Sequence, residues 1–190
     1  MRFLLSGGEQ GELRLWELRS RELVSHMKEH TQRITDIEIF SDDSKALTSS
    51  KDKSIMLWNL KDERRIQCFL QRMGGINSIA LSLDQTQIIS MGQEKKISLW
   101  EFQELCPVHS QVVDGETEEG LCRVRAHDGE MLVSGGSTGK VRVWSFQTGE
   151  LLAQVVAHSG HVTGVSFSLD DRQVVSTGAD GAIAIWCVIK

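Results

Sequence analysis

The sequence lacks most of the features that mark a specialised class of protein. Its 190 residues hold no apolar run long enough to cross a bilayer. The opening MRFLLSGG has three consecutive apolar residues, Phe3 to Leu5, too few for the core of a signal peptide. Charge of one sign is scarce: the net value is −5 and the pI near 5.7, which gives no basic field of the kind that holds nucleic acid. The four cysteines, Cys68, Cys106, Cys122 and Cys187, form neither a C-x-x-C pair nor a disulfide framework, and they read as free thiols of a reducing cytosol. Proline occurs once, at Pro107. A hydrophobic content of 40% with 25% charged residues is that of a globular chain with room for a core, not of a disordered one.

What the sequence does have is a rhythm. Its five tryptophans, Trp16, Trp58, Trp100, Trp144 and Trp186, stand 42, 42, 44 and 42 residues apart. Their contexts match: LRLWEL, IMLWNL, ISLWEF, VRVWSF and IAIWCV alternate large apolar residues with others, the period of a half-buried strand. Within one period, RITDIEIF (33–40), SKALTSS (44–50), SIMLWNL (54–60) and RRIQCFL (64–70) read as four short strands between polar turns. A repeat of about 40–45 residues with four strands is a propeller blade. Helical repeats of similar length need apolar residues every three or four positions, and the chain does not supply them. The expected fold is all-β and toroidal.

These features resemble the WD-repeat β-propeller family over essentially the whole chain. The Trp-Asp dipeptide itself is absent, since Glu17, Asn59, Glu101, Ser145 and Cys187 follow the five tryptophans. The rest of the pattern is kept in two repeats: His30, Thr48 and Asp52 precede Trp58 by 28, 10 and 6 residues, and His158, Ser176 and Asp180 precede Trp186 by the same offsets. A histidine, a hydroxyl and an aspartate at fixed spacing also suggest a hydrolase triad. The resemblance implies instead a buried hydrogen-bonded chain that fixes the turns of each blade, and its duplication supports that reading, since an active site is normally unique. Erosion elsewhere agrees: Arg72, Ser90 and Glu94 stand before Trp100, Ser134 and Thr138 before Trp144, and Ser6 and Gln10 before Trp16.

Blades are expected at approximately 1–30, 31–71, 72–115, 116–157 and 158–190, about four and a half four-stranded blades of a ring for which the family's common number is seven. The chain would begin at the second strand of one blade and end at the third of another. The resemblance then implies that the missing blades precede this segment in a larger protein or come from another chain.

Carried over from the family by position, a partner-binding rim would include Arg33, Thr35 and Lys51, then Gly75, Asn77 and Gln93, then Ser137, and finally His161, Thr163 and Ala179. Arg33 and Lys51 suit an acidic partner, though solvated surface charge explains either residue equally well. ERR (63–65) and EKK (94–96) read as solvated mixed-sign turns. The irregular segment 106–124, with Asp114, Glu116, Glu118 and Glu119, reads as a tolerated insertion. His109 and His127 have no ligand-spaced neighbours, so no metal is expected. SGGSTGK (134–140) lacks phosphate-loop spacing and reads as a β-turn; no cofactor, catalytic residue or small-molecule substrate is expected.

Within the family, KEHTQRITDIEIF, QRMGGINSIALS and GQEKKISLW are similar to the C-terminal propeller of twin-propeller WD-repeat proteins of cilia and flagella, found inside axonemal doublet microtubules. Centriolar and spoke-associated relatives share much of this likeness. It implies a non-catalytic scaffold of the axoneme that contacts tubulin and neighbouring proteins, with no nucleic-acid or membrane partner. The alternatives are a soluble adaptor that recruits a peptide to a signalling or ubiquitin-ligase complex, or a centriolar protein. A propeller enzyme is the weakest alternative.

Overall fold

Strands with one apolar face must bury it, and repeated strands of equal length do so by stacking as equivalent sheets. A computed structural model of the chain describes residues 3–72, 74–82, 84–93, 95–104, 107–112, 123–127, 131–145, 148, 150–168 and 172–188. Among these there are eighteen strands and no helix, the all-β class that the tryptophan repeat predicts.

The strands form five sheets. The first holds β1 (Phe3–Gly7), β2 (Glu12–Glu17) and β3 (Glu22–Lys28). The second holds β4 (Ile34–Ile39), β5 (Lys45–Ser50), β6 (Ser54–Asn59) and β7 (Arg64–Leu70). The third holds β8 (Ile76–Leu81), β9 (Gln87–Gly92), β10 (Lys96–Glu101) and β11 (His109–Val112). The fourth runs from β12 (Arg123–His127) through β13 (Met131–Gly135) and β14 (Lys140–Ser145) to β15 (Leu151–Val156). The fifth has β16 (Val162–Phe167), β17 (Gln173–Gly178) and β18 (Ile183–Cys187). Each sheet is a meander with neighbours in chain order, the topology of a propeller blade. Among the described residues the first sheet has no strand equivalent to β4, and the fifth none equivalent to β7.

Segment 106–124 is not irregular throughout. Lys96 pairs with Val112 and Leu99 with His109, so part of it adds an outer strand to the free edge of β10, and Arg123 opens β12. Glu94, Cys106, Cys122 and the acidic cluster at 114–119 lie outside the described residues, as do the side chains of His109 and His127. Cys68 is free and half-buried, and Cys187 is free and exposed.

The chain divides into two compact units, residues 1–77 and 78–190. In the first, Leu13 packs with Ile34, Met56 and Trp58 in a core between the first two sheets. In the second, Ile89, Met91 and Ile97 pack with Leu132 and Trp144. Val133 and Val141 pack with Val162, Val165 and Val174, with Trp186 against them. Trp58, Trp144 and Trp186 thus each belong to a core shared with the preceding sheet. Trp58, Trp100 and Trp144 are buried, whereas Trp16 and Trp186, in the three-stranded sheets, are half-buried.

Candidate functional site

Strand register explains the polar offsets. Each tryptophan pairs across the sheet with the residue twelve before it: Leu4, Ala46, Ile88, Leu132 and Val174. The residue ten before is then the diagonal neighbour on the same face, within reach of a large side chain. That neighbour is a hydroxyl in all five sheets, and each accepts the indole N–H. The bonds run Trp16 to Ser6 at 2.9 Å, Trp58 to Thr48 at 2.8 Å, Trp100 to Ser90 at 2.8 Å, Trp144 to Ser134 at 2.8 Å and Trp186 to Ser176 at 3.0 Å.

Two of these pairs continue into a longer chain. The indole only donates, so the Thr48 hydroxyl accepts from Trp58 and donates on to His30 Nε2 at 2.7 Å. His30 Nδ1–H then donates to Asp52 Oδ2 at 2.9 Å. In the last sheet Ser176 reaches His158 Nε2 at 2.9 Å, and His158 Nδ1 reaches Asp180 Oδ1 at 3.1 Å. Each aspartate also ties the turn after its histidine, accepting the N–H of Thr31 or Ser159 at 2.9 Å. In the eroded repeats the indole–hydroxyl bond is what remains: Arg72 and Thr138, at the histidine and aspartate positions, are exposed.

The two carboxylates are held as anions. Burial pushes the Asp52 carboxyl up, but hydrogen bonds from His30, Ser54 and Thr31 outweigh it and leave Asp52 well below the usual carboxylate range. Asp180 is lowered by the N–H groups of Ala182 and Ser159 against a smaller effect of burial, with His158 adding to the shift. Thr48 and Ser176 are fully buried, and each is bonded to both an indole and an imidazole. A hydroxyl so placed braces the sheet and has no approach for a substrate.

Sequence counting does not find Ser54. Its hydroxyl lies 2.6 Å from Asp52 Oδ1 and 3.0 Å from His30 Nδ1, making a fifth member of the first chain. The equivalent residue in the last sheet is Ala182, which offers only its N–H, so no repeat marks the position.

The rim positions separate by what they touch. Arg33 is exposed, and its guanidinium makes no hydrogen bond among the described residues. Lys51 is half-buried with its ammonium on Asn77 Oδ1. Both line an open cleft of about 830 Å³ with Glu9, Lys28 and Glu29. Lys28 and Glu9 escape positional counting because they come from the end of β3 and from the turn of the preceding sheet. Thr35 is turned inward: its hydroxyl lies 2.9 Å from Ser49 Oγ and donates to Ile76 O at 2.8 Å. Thr163 pairs with Thr177 at 2.9 Å. Gln93 and Ser137 are half-buried, Gly75 is buried, and His161 and Ala179 are exposed.

Five such sheets with an indole–hydroxyl core define a WD-repeat protein. The family model described as WD domain, G-beta repeat matches residues 21–59, 120–145 and 149–187, more than half of the chain, and the chain belongs to that family. Over 210 aligned positions it is similar to Cilia- and flagella-associated protein 52 of Sus scrofa, at 30% identity, covering 96% of this chain and 30% of that protein. The same protein of Macaca fascicularis is 28% identical, over 96% of this chain and 32% of its own length. That of Chlamydomonas reinhardtii is 38% identical over 77 residues, 40% of this chain and 12% of that protein. The chain thus spans about a third of the length of the mammalian relatives it matches.

Proposed function

We propose that the chain is a non-catalytic protein–protein interaction scaffold of cilia and flagella, built into axonemal doublet microtubules on their luminal side. The observation that carries this reading is the alignment of 96% of the chain with proteins named for cilia and flagella. WD-repeat membership supports the scaffold role. So does the commitment of its one duplicated His–hydroxyl–Asp set to internal bracing.

In this reading the blades belong to a larger ring, and the cleft carrying Arg33 and Lys51 meets an acidic surface. Tubulin, with its acidic character, and its neighbours in the doublet are the partners. The test is fractionation of ciliated cells expressing the tagged protein. Retention with axonemes after detergent and high-salt extraction is expected. Release into the soluble fraction would overturn the axonemal reading and favour an adaptor.

A further inference from the structure

We infer that Thr31 is a phosphorylation site, and that its phosphate switches off the positive cleft in which it stands. The inference rests on the reading of that cleft as the seat of an acidic partner, and it adds the group that regulates it.

Thr31 follows His30 in the turn between β3 and β4. It lines the cleft together with Lys28, Arg33 and Lys51. Its backbone N–H donates to Asp52 Oδ2, but its hydroxyl makes no hydrogen bond among the described residues. Exposed hydroxyls elsewhere are engaged: Ser20 bonds to Glu17, Thr86 to Asp84, Thr148 to Glu150, Ser110 to Ser98 and Thr163 to Thr177. A phosphate on Thr31 therefore displaces no existing bond, and the polar chain from Trp58 to Asp52 stays intact.

Lys28, Glu29, Thr31, Gln32 and Arg33 are all exposed, and only His30 among them is buried. Cations thus stand three residues before and two residues after the acceptor hydroxyl, open to acidic groups of an enzyme. The equivalent turn of the fifth sheet shows that the fold does not impose this charge. There Val156, His161 and Ala179 take the places of Lys28, Arg33 and Lys51. Ser159 takes the place of Thr31, and its hydroxyl is turned to Asp180 Oδ2 at 3.5 Å.

In the reaction Thr31 Oγ1 attacks the γ-phosphorus of ATP in a serine/threonine kinase. The new O–P bond forms as the bond to the β–γ bridging oxygen breaks, ADP leaves, and the hydroxyl proton passes to the kinase's carboxylate base. The effect on the cleft is electrostatic. Three cations against Glu9, with Glu29 drawn toward Arg65, leave an excess of about two positive charges, and a phosphate of about −1.5 to −2 cancels it.

The test treats the full chain with magnesium, ATP and a purified kinase that selects acceptors with basic residues on both sides, and assigns the phosphate by fragment-ion mass spectrometry. Modification at Thr31 is expected. Thr31→Val should abolish it without changing the unfolding midpoint, since the N–H bond to Asp52 is kept. Lys28→Gln with Arg33→Gln should slow it about tenfold or more. A chain left unmodified while a free peptide of residues 25–36 is phosphorylated would overturn the proposal, as would failure of the peptide itself or a phosphate placed mainly on another residue. The second readout is fluorescence anisotropy with a labelled oligoglutamate peptide at low salt. The untreated chain should bind it, and the phosphorylated chain about tenfold or more weakly, whereas Thr31→Val should bind equally before and after treatment. Equal affinity of the native chain with and without phosphate would overturn the switch, and so would no binding by the untreated chain. Oligoglutamate binding that phosphate abolishes, in a chain that does not co-sediment with microtubules, would uphold the switch and remove tubulin from the reading beneath it.

Discussion

Thr48 is the residue on which the first polar chain turns, because it alone joins the indole to the imidazole. Thr48→Val keeps the shape, removes both bonds and leaves Trp58 N–H and His30 Nε2 buried without partners. Such groups cost about 1–3 kcal/mol each. Urea unfolding followed by circular dichroism should show a loss of that order for Thr48→Val and recovery of most of it by Thr48→Ser. The equivalent Ser176→Ala should cost less, because its indole is half-buried and water can reach the vacated N–H. Acid should act through Asp52. A carboxyl held below its ordinary value of 3.8 binds protons less readily in the folded chain than in the unfolded one. The stability it confers is therefore complete above about 3.8 and drains away as the pH falls further toward its folded value. Denaturation midpoints measured downward from pH 7 should fall more steeply below pH 4 in the native chain than in Asp52→Asn, which starts lower and has lost that slope. Equal slopes would remove Asp52 from the account. At this scale the chain was legible where residues recur: the His, hydroxyl and Asp offsets follow from a register common to all five sheets. Ser54 occurs once, and no periodicity could point to it.

The strands were legible because alternation and turn residues agree: the four segments read within 33–70 correspond to β4 through β7. The turns hold a second code. The residue five positions after the indole-bonded hydroxyl is left-handed in every sheet: Gly11, Lys53, Lys95, Gly139 and Gly181 have φ of 81°, 74°, 58°, 73° and 77°. Glycine is required at Gly11 and Gly139 for a further reason, since the carbonyl of the next repeat's histidine lies where a Cβ would be. Lys53 precedes a repeat that has Arg72 at the histidine position, and a side chain is tolerated there. Gly181→Ala should then cost only the left-handed penalty, about 1–2 kcal/mol. Gly11→Ala must also displace the His30 backbone and should cost measurably more than Gly181→Ala in the same unfolding assay. Equal costs would mean that the close approach yields freely. Burial was less legible than strand type. All six residues of β15, LLAQVV, are exposed although four of them are large and apolar, because it is the outermost strand of its sheet. Alternation reports that a face is apolar; whether a neighbour lies on it depends on the order of sheets.

For the whole molecule, the question is how a chain with a net charge of −5 could hold an acidic partner. Net charge governs long-range approach, but at about 0.1 M salt the screening length is near 10 Å, so the local field decides docking. In the cleft of the first unit, Lys28, Arg33 and Lys51 face Glu9 and Glu29. Glu29 is drawn toward Arg65, 2.9 Å away, which leaves the cleft locally positive. The Arg33 guanidinium makes no hydrogen bond among the described residues, so Arg33→Glu should leave the unfolding free energy unchanged within about 0.5 kcal/mol. Lys51→Glu gives up its contact with Asn77 and should cost up to about 1 kcal/mol. If the cleft meets an acidic microtubule surface, the double reversal should weaken co-sedimentation with stabilised microtubules about tenfold or more at low salt. The deficit should narrow as salt rises, since screening removes from the native chain the same attraction that the substitutions remove. Arg64→Glu on β7, an exposed residue next to Asp62, serves as a control for bulk charge and should change binding far less. Equal losses from Arg64→Glu and from Arg33→Glu would show that microtubules respond to the net charge of the chain and not to this cleft.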